Sequence, residues 1–325
     1  MARAVRKTHL VVSGLVAALL GIVQWQVRPP MLLAERFYPG AGWVEIVLLA
    51  WYAGWLHRRM VDPKKQPQAR RFAWRFFSVA FYGQLVLGLL GVEHCLMTGE
   101  LHFPIPALIA VGPLYRGGGY FMFSLFLMTV LLVGPAWCSH LCYLGSWDDL
   151  CAIQRRRPAR LARWVPSLRL LWAAAMLAGA WWLGQQGLST TFAICGAAAL
   201  GIGGVMLMVV VSRRLGIMFH CTIFCPIHVL ATLLGRIHPF RLDVGGGCTR
   251  CGICTLHCRY DALHPHHLER SRVGRSCTLC GDCLQSCRDG HLTYRFPGLG
   301  PGRSRELFLL LVVVLHGVFL GLARI

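Results

Sequence analysis

Fifteen cysteines stand in a chain of 325 residues, and most of them recur at fixed spacings. Cys248, Cys251, Cys254 and Cys258 read C-x2-C-x2-C-x3-C, and Cys277, Cys280, Cys283 and Cys287 repeat that spacing after 18 intervening residues. Three thiolates at i, i+3 and i+6 on a tight loop can wrap one face of a cubane iron–sulfur cluster, and the fourth is carried onward to the neighbouring cluster. The spacing therefore predicts two [4Fe-4S] clusters. Cys248, Cys251, Cys254 and Cys287 would hold the first, and Cys258, Cys277, Cys280 and Cys283 the second. Structural zinc sites usually use two separated cysteine pairs rather than a triplet plus one. The position after the last cysteine of such a run is commonly proline. Here it is Arg259 in one run and Arg288 in the other. Both arginines should alter the local turn, and their charge should favour the reduced, more negative cluster.

A quieter repeat lies upstream, where Cys138-x3-Cys142 and Cys221-x3-Cys225 each follow an apolar run. Cysteines at i and i+4 share one helix face, a turn apart. Two such pairs at one membrane depth could converge on a single four-thiolate site. A third iron–sulfur cluster, a zinc ion or four unmodified buried thiols all fit that spacing. Cys95, Cys151 and Cys195 fit neither repeat and read as packing residues.

The elements that position these cysteines follow from composition. Only 14% of the residues are charged and 56% are hydrophobic, against roughly 25% charged in a soluble domain. Disorder is excluded by the same apolar content. Seven runs have the length of a bilayer span: 8–27, 41–57, 76–96, 120–137, 166–186, 190–212 and 307–323. The first is too long for a signal peptide and is followed by Arg28-Pro29-Pro30, so it reads as an uncleaved anchor. Seven spans place 29 of the 33 Lys and Arg residues on one side, leaving Arg28, Arg36, Arg116 and Arg324 on the other. By the positive-inside bias the N-terminus and all the patterned cysteines are cytoplasmic, and the C-terminus is outside. Disulfides are not expected there. The net charge of +20 is then a topology signal, and nucleic acid is not expected as a partner. The outer loop 97–119, rich in Pro and Gly, excludes a regular span and reads as a re-entrant or interfacial segment.

Ionisable residues within spans are functional candidates by default. Glu93 and His94 near the outer end of the third span, and His316 in the last, are candidates for a quinone or proton site. His316 lies ~14 Å along its span from the cytoplasmic end and His94 ~27 Å along its own, so the two do not match as axial ligands of one haem. Gln84 is a further mid-membrane polar residue. The histidines around 257–267 and His291 read as surface loop residues, and Gly245-Gly246-Gly247 as a flexible joint. No P-loop, nucleotide-binding glycine pattern or hydrolase motif appears.

The order of these motifs resembles the NapH/MauN family of ferredoxin-type membrane proteins. The matching parts are WCSHLCYLGSWDDL at 137–150, HCTIFCPIHVLATLLGR at 220–236, and the runs CTRCGICTLHC and CTLCGDCLQSC. Related modules occur in NosR-type regulators and CcoG-type assembly proteins. The resemblance covers roughly residues 70–290. Tyr143 stands where the family has proline after the first pair, two spans precede the family core and one follows it, and there is no flavin-attachment region. The resemblance implies an iron–sulfur protein of the bacterial cytoplasmic (inner) membrane that exchanges electrons between quinone or quinol and a redox partner protein. Its rival is an assembly or regulatory factor that reduces a metal or thiol during maturation of a respiratory enzyme. The expected architecture is an all-α polytopic membrane protein of six or seven spans with a small α+β ferredoxin-like domain on the cytoplasmic face. Its expected divisions are 1–69, with two spans; 70–240, the four-helix core; 241–296, the ferredoxin-like domain; and 297–325, the last span.

Overall fold

The computed structural model describes residues 2–96, 104–162, 164–187 and 189–322. Arg163, Arg324, residues 97–103 of the outer loop and the side chains of Arg3 and Arg6 lie outside that description. The chain is mostly helical. It folds as two compact units, one of residues 1–102 with 305–325, the other of residues 103–304. Among the described residues, five helices are long and apolar enough to cross a membrane: Lys7–Gln26, Gln66–Leu89, Phe121–Leu141, Thr191–Leu215 and Pro301–Leu322. Helices also form over the two other expected spans, Gly42–Val61 and Val165–Gln185. They are more polar, with Glu45, Arg58 and Arg59 in one and Arg169 in the other.

The first unit contains α1 (Ala2–Gln26), α2 (Leu33–Phe37), α3 (Gly42–Val61), α4 (Gln66–Leu89) and most of the C-terminal helix Pro301–Leu322. Val12, Val16 and Leu20 of α1, Ala53, Leu56 and Met60 of α3, and Phe308, Val312 and Val313 of the C-terminal helix form its buried core. The opposite faces stay apolar, as Val44, Val47, Leu48 and Trp51 on α3 illustrate. An aqueous surface does not sustain such continuous patches, whereas a lipid surface does. Arg305 donates to the Val61 carbonyl (2.5 Å) and the Met60 carbonyl (2.9 Å), closing the C-terminus of α3 with a cation. Glu45 accepts the Ala34 backbone N–H (2.8 Å), so this acid in an apolar helix serves the α2–α3 corner.

Helix α4 starts ten residues before the expected span and stops short of its expected end. Early propagation is possible because Arg70 is buried with its guanidinium over the Trp74 ring (5.0 Å), which screens the charge from the apolar surroundings. The stop comes at Gly91 (φ +96°), followed by a 3-10 turn at Glu93–Cys95. Residue pattern alone assigned this helix to the core at 70–240, but it belongs to the first unit.

The second unit joins the remaining helices and the cysteine runs in one body. It contains α5 (Leu108–Arg116), α6 (Phe121–Val133), α7 (Gly145–Ala152), α8 (Val165–Gln185), α9 (Thr190–Leu207), α10 (Arg213–Leu215), α11 (Pro226–Leu234) and α12 (Pro265–Glu269). Within the described part of the expected re-entrant stretch lies a nine-residue helix, α5, ended by Gly117 at φ +66°. Pro166 and Pro226 open α8 and α11, where the missing N–H costs nothing. The Ser189 hydroxyl caps α9 by accepting the Phe192 N–H (3.4 Å). Strands β1 (Arg241–Val244) and β2 (Leu292–Arg295) pair antiparallel and bracket the two cysteine runs. Leu242 and Val244 lie opposite Tyr294 and Leu292, and this alternation buries one face. The Tyr294 hydroxyl then donates to the Leu279 carbonyl (2.9 Å), tying the sheet to the second run.

Two joints differ from their sequence reading. Gly245 to Gly247 form an ordered turn: the Gly245 N–H donates to the His291 carbonyl (2.7 Å), and the His291 ring occupies the space of a Gly247 Cβ. At the C-terminal end of α6 the backbone breaks at Gly134, φ +64°, with the His238 ring 2.9 Å from where a Cβ would stand. His238 in turn bonds the Leu131 carbonyl (3.0 Å). Gly134→Ala meets both a strained φ and a clash. It should cost about 1–3 kcal/mol, seen as a lower unfolding temperature of the purified protein.

Candidate iron–sulfur sites

The upstream cysteine pairs sit on two matching turns. Trp137–Leu141 and His220–Phe224 are each a single π-helical turn. Each is closed by the second cysteine, whose N–H reaches back five residues: Cys142 to the Trp137 carbonyl (3.0 Å) and Cys225 to the His220 carbonyl (2.9 Å). Both second cysteines then turn extended (ψ 113° and 117°) and a new helix begins. The amides that follow point back at sulfur. Leu144 and Gly145 donate to Cys142, and Ile227 and His228 donate to Cys225. This is the helix N-terminal anion arrangement built twice.

The four thiols converge. Cys221 lies within electrostatic reach of Cys142, Cys225 and Cys138, and all four are buried. Burial pushes Cys142 up to about 12 and Cys225 up to about 11. Such thiols stay protonated unless a bound cation compensates the thiolates. Buried polar atoms without a hydrogen-bond partner lie on the second turn and the helix after it: His220 Nδ1, Thr222 Oγ1 and both ring nitrogens of His228. Four thiolates are a donor set that fits either a zinc ion or an iron–sulfur cluster.

Asp148 was not singled out by spacing. Its side chain is fully buried, accepts the Cys221 N–H (2.9 Å), and is pushed up to about 6 by burial. The available sign was two adjacent acids, Asp148 and Asp149, in an otherwise apolar stretch just after Cys142. Ser139 and His228 were also missed. The Ser139 hydroxyl donates to the Thr278 carbonyl (2.9 Å), and the His228 ring stacks 2° from parallel on Tyr260 (5.7 Å). The first contact connects the first C-x3-C turn with the second cysteine run, and the second connects α11 with the residues just after the first run.

The two long runs fold alike. In each, the residue before the second cysteine is left-handed, Arg250 and Leu279 both at φ 57°, and so is the glycine after it, Gly252 at 74° and Gly281 at 81°. A non-glycine residue there costs of order 1 kcal/mol. Such successive turns direct backbone N–H groups to one concave side, as cluster loops require. The electrostatic neighbours of Cys254 are Cys248, Cys287 and Cys251. Those of Cys283 are Cys280, Cys258 and Cys277, with Cys254 beyond. Cys254 and Cys283 thus each have the other members of their expected four among their neighbours. A cavity is lined by Cys258, Cys277, Cys280 and Cys283, with Leu242 and Tyr260 among its walls. The Ala262 N–H donates to Cys258 Sγ (3.2 Å), and burial pushes Cys277 up to about 12. The other four are more open, since Cys251 is exposed.

Arg259 has a different task from the one its charge implied. Its guanidinium donates to the carbonyls of Arg155 (2.8 Å), Gly216 (2.8 Å) and Arg156 (3.4 Å), and its own carbonyl accepts the Met218 N–H (2.9 Å). It fastens the first run to the loops after α7 and α10. Arg288 is exposed.

Glu93, His94 and His316 do not form one site. Glu93 and His94 are exposed, and His94 stacks on Phe37 (5.1 Å). His316 is buried and shares a hydrogen bond with the Tyr52 hydroxyl (3.2 Å), with Phe77 edge-on at 5.9 Å. Phe77 lies 12 residues before the end of α4, ~18 Å along the helix, and Glu93 lies beyond that end.

Comparison with known families bears on the upstream pairs. Residues 115–160 match a family model described as a 4Fe-4S binding domain. The matched stretch contains Cys138 and Cys142, not the two long runs, so it falls on the pair whose spacing alone left the cofactor open. It supports an iron–sulfur protein. No curated protein and no solved structure matches the chain.

The exchanged fours have a spectroscopic consequence. Cys287→Ser should remove the same EPR signal as Cys248→Ser, and Cys258→Ser the same signal as Cys277→Ser. Pairing by sequence run instead would contradict the arrangement.

Proposed function

We propose that this chain is a membrane-bound iron–sulfur protein that transfers electrons between the quinone pool and a redox partner protein of a respiratory chain. The convergence of twelve cysteines into three sets of four carries this reading. Cys138, Cys142, Cys221 and Cys225 would hold one cluster, and the exchanged sets of the two long runs would hold two more. A [4Fe-4S] cluster supplies reversible one-electron storage, with a potential set by its hydrogen bonds, net charge and solvent exposure.

The protein's contribution is to bury the thiols, exclude water and aim neutral N–H donors at sulfur. The matched 4Fe-4S domain at residues 115–160 supports the membrane-proximal set. Seven spans in a bacterial inner membrane, with the cysteine sets on the cytoplasmic side, agree with the one-sided placement of the basic residues and with helices of 20 and 21 residues over the two more polar runs. In the first unit the Tyr52–His316 pair offers a hydrogen-bonding couple for a quinone carbonyl. Trp55, Phe72 and Phe76 cluster beside Tyr52, and Phe72 and Phe76 open outward.

The test is anaerobic mixing of the purified protein with a short-chain quinol, following the reduced clusters by freeze-quench EPR. Quinol should reduce them. Tyr52→Phe should slow that step about tenfold at unchanged iron content, the effect of one lost hydrogen bond of about 1.4 kcal/mol. Clusters that quinol does not reduce, and that do not reduce quinone, would remove the quinone link.

A further inference from the structure

Arg169 lies near the start of α8, about 6 Å along the helix axis from its first residue. It is only 4% exposed, and its Nε has no hydrogen-bond partner. Its electrostatic neighbours are His228 of α11 and two more arginines, Arg236 just past the end of α11 and Arg275 just ahead of the second cysteine run. Both of these are exposed. Among the described residues no carboxylate pairs with any of the three. Arg241 adds a fourth cation nearby, its guanidinium donating to the Arg236 carbonyl (2.6 Å).

Three guanidinium groups gathered without an acid repel one another, and the buried one lacks a counter-charge. Leaving such a charge unpaired is among the costlier things a fold can do. The arrangement is stable once an anion sits among them, and guanidinium forks match phosphate oxygens in pairs.

The surroundings identify the source of that phosphate. Trp164 is 63% exposed and Leu171 70%, both within a turn or two of Arg169 on the chain, and Ile237, next to Arg236, is 78% exposed. Trp172 is part-exposed, with its indole N–H donating to the Phe224 carbonyl (2.9 Å). Outward tryptophans and aliphatic side chains beside arginines make up a membrane–water boundary, where basic pockets between helices take lipid head groups. A soluble anion or an acidic protein would not need the apolar rim.

We infer that Arg169, Arg236 and Arg275 form a binding site for the phosphate of an anionic phospholipid. This rests on the proposed membrane insertion of α8. The bound lipid would cross-link α8, α11 and the loop that carries Cys277, and so secure the second cluster domain against the helices.

The experiment uses the full chain, wild type and with Arg236→Gln, Arg275→Gln or both, in nanodiscs of phosphatidylcholine with graded phosphatidylglycerol. Native mass spectrometry counts the phosphatidylglycerol retained on release. Wild type should retain it, each exposed arginine removed should weaken retention about fivefold, and millimolar inorganic phosphate should not displace it. Equal retention by the double variant would overturn the site. Displacement by inorganic phosphate would overturn the lipid source. Salt-sensitive capture of an acidic protein at these arginines with no retained lipid would do the same. Iron content and EPR of each variant report on the clusters separately, and resistance of the chain to alkaline extraction from membranes reports on insertion. Failure of either would sink the proposed function rather than this site alone.

Discussion

Burial of many thiols without fixed counter-charge is the constraint on which the second unit depends. Cys142, Cys225 and Cys277 are each pushed up to about 11 or 12 by burial, and Cys221 and Cys283 are pushed well above the thiol range. The adjacent Asp148 and Asp149 are both buried acids, and Asp148 makes ionisation of Cys221 harder still. A cationic iron core reverses this balance, because metal-bound thiols are deprotonated outright. Under the proposed function, folding and cluster loading are coupled, as in other proteins whose metal ligands form much of the core.

Several local features answer that one constraint. The two π turns, the two helix starts that aim N–H groups at Cys142 and Cys225, and the paired left-handed positions at Arg250 and Leu279 all direct backbone donors at sulfur. Arg259 and Ser139 then fasten these loops to one another, Arg259 through the loops after α7 and α10 and Ser139 through the Thr278 carbonyl. The helices beneath supply an apolar scaffold with few polar groups to compete for those donors.

Much of this was legible before any coordinates. The doubled C-x2-C-x2-C-x3-C spacing predicts the exchanged fours, because loop geometry is encoded by cysteine separation. The C-x3-C pairs were legible as a repeat but not as turns. Spacing i, i+4 reads as one face of an α-helix, and the choice of a π turn depends on the hydrogen-bond register. The buried His228 escaped because a single polar residue in an apolar stretch carries no period, and Asp148 because its pair with Asp149 has no spacing that points to the cysteines. Helix α4 was assigned to the wrong body because apolar pattern marks a span without saying which neighbours it packs against. Arg70 hid its true start, its charge masked by Trp74. Glu93, His94 and His316 were candidates by residue type alone, at depths that already differed, and Tyr52, the residue that contacts His316, has an ordinary place in an aromatic-rich helix.

The central claim is that the C-x3-C pairs hold a cluster in addition to the two of the long runs. It is tested most directly by counting iron and acid-labile sulfide in anaerobically purified wild type and in the Cys142→Ser, Cys225→Ser double variant. The account predicts about twelve irons per chain in the wild type and about eight in the variant. About eight in both would contradict it, leaving Cys138, Cys142, Cys221 and Cys225 as buried thiols.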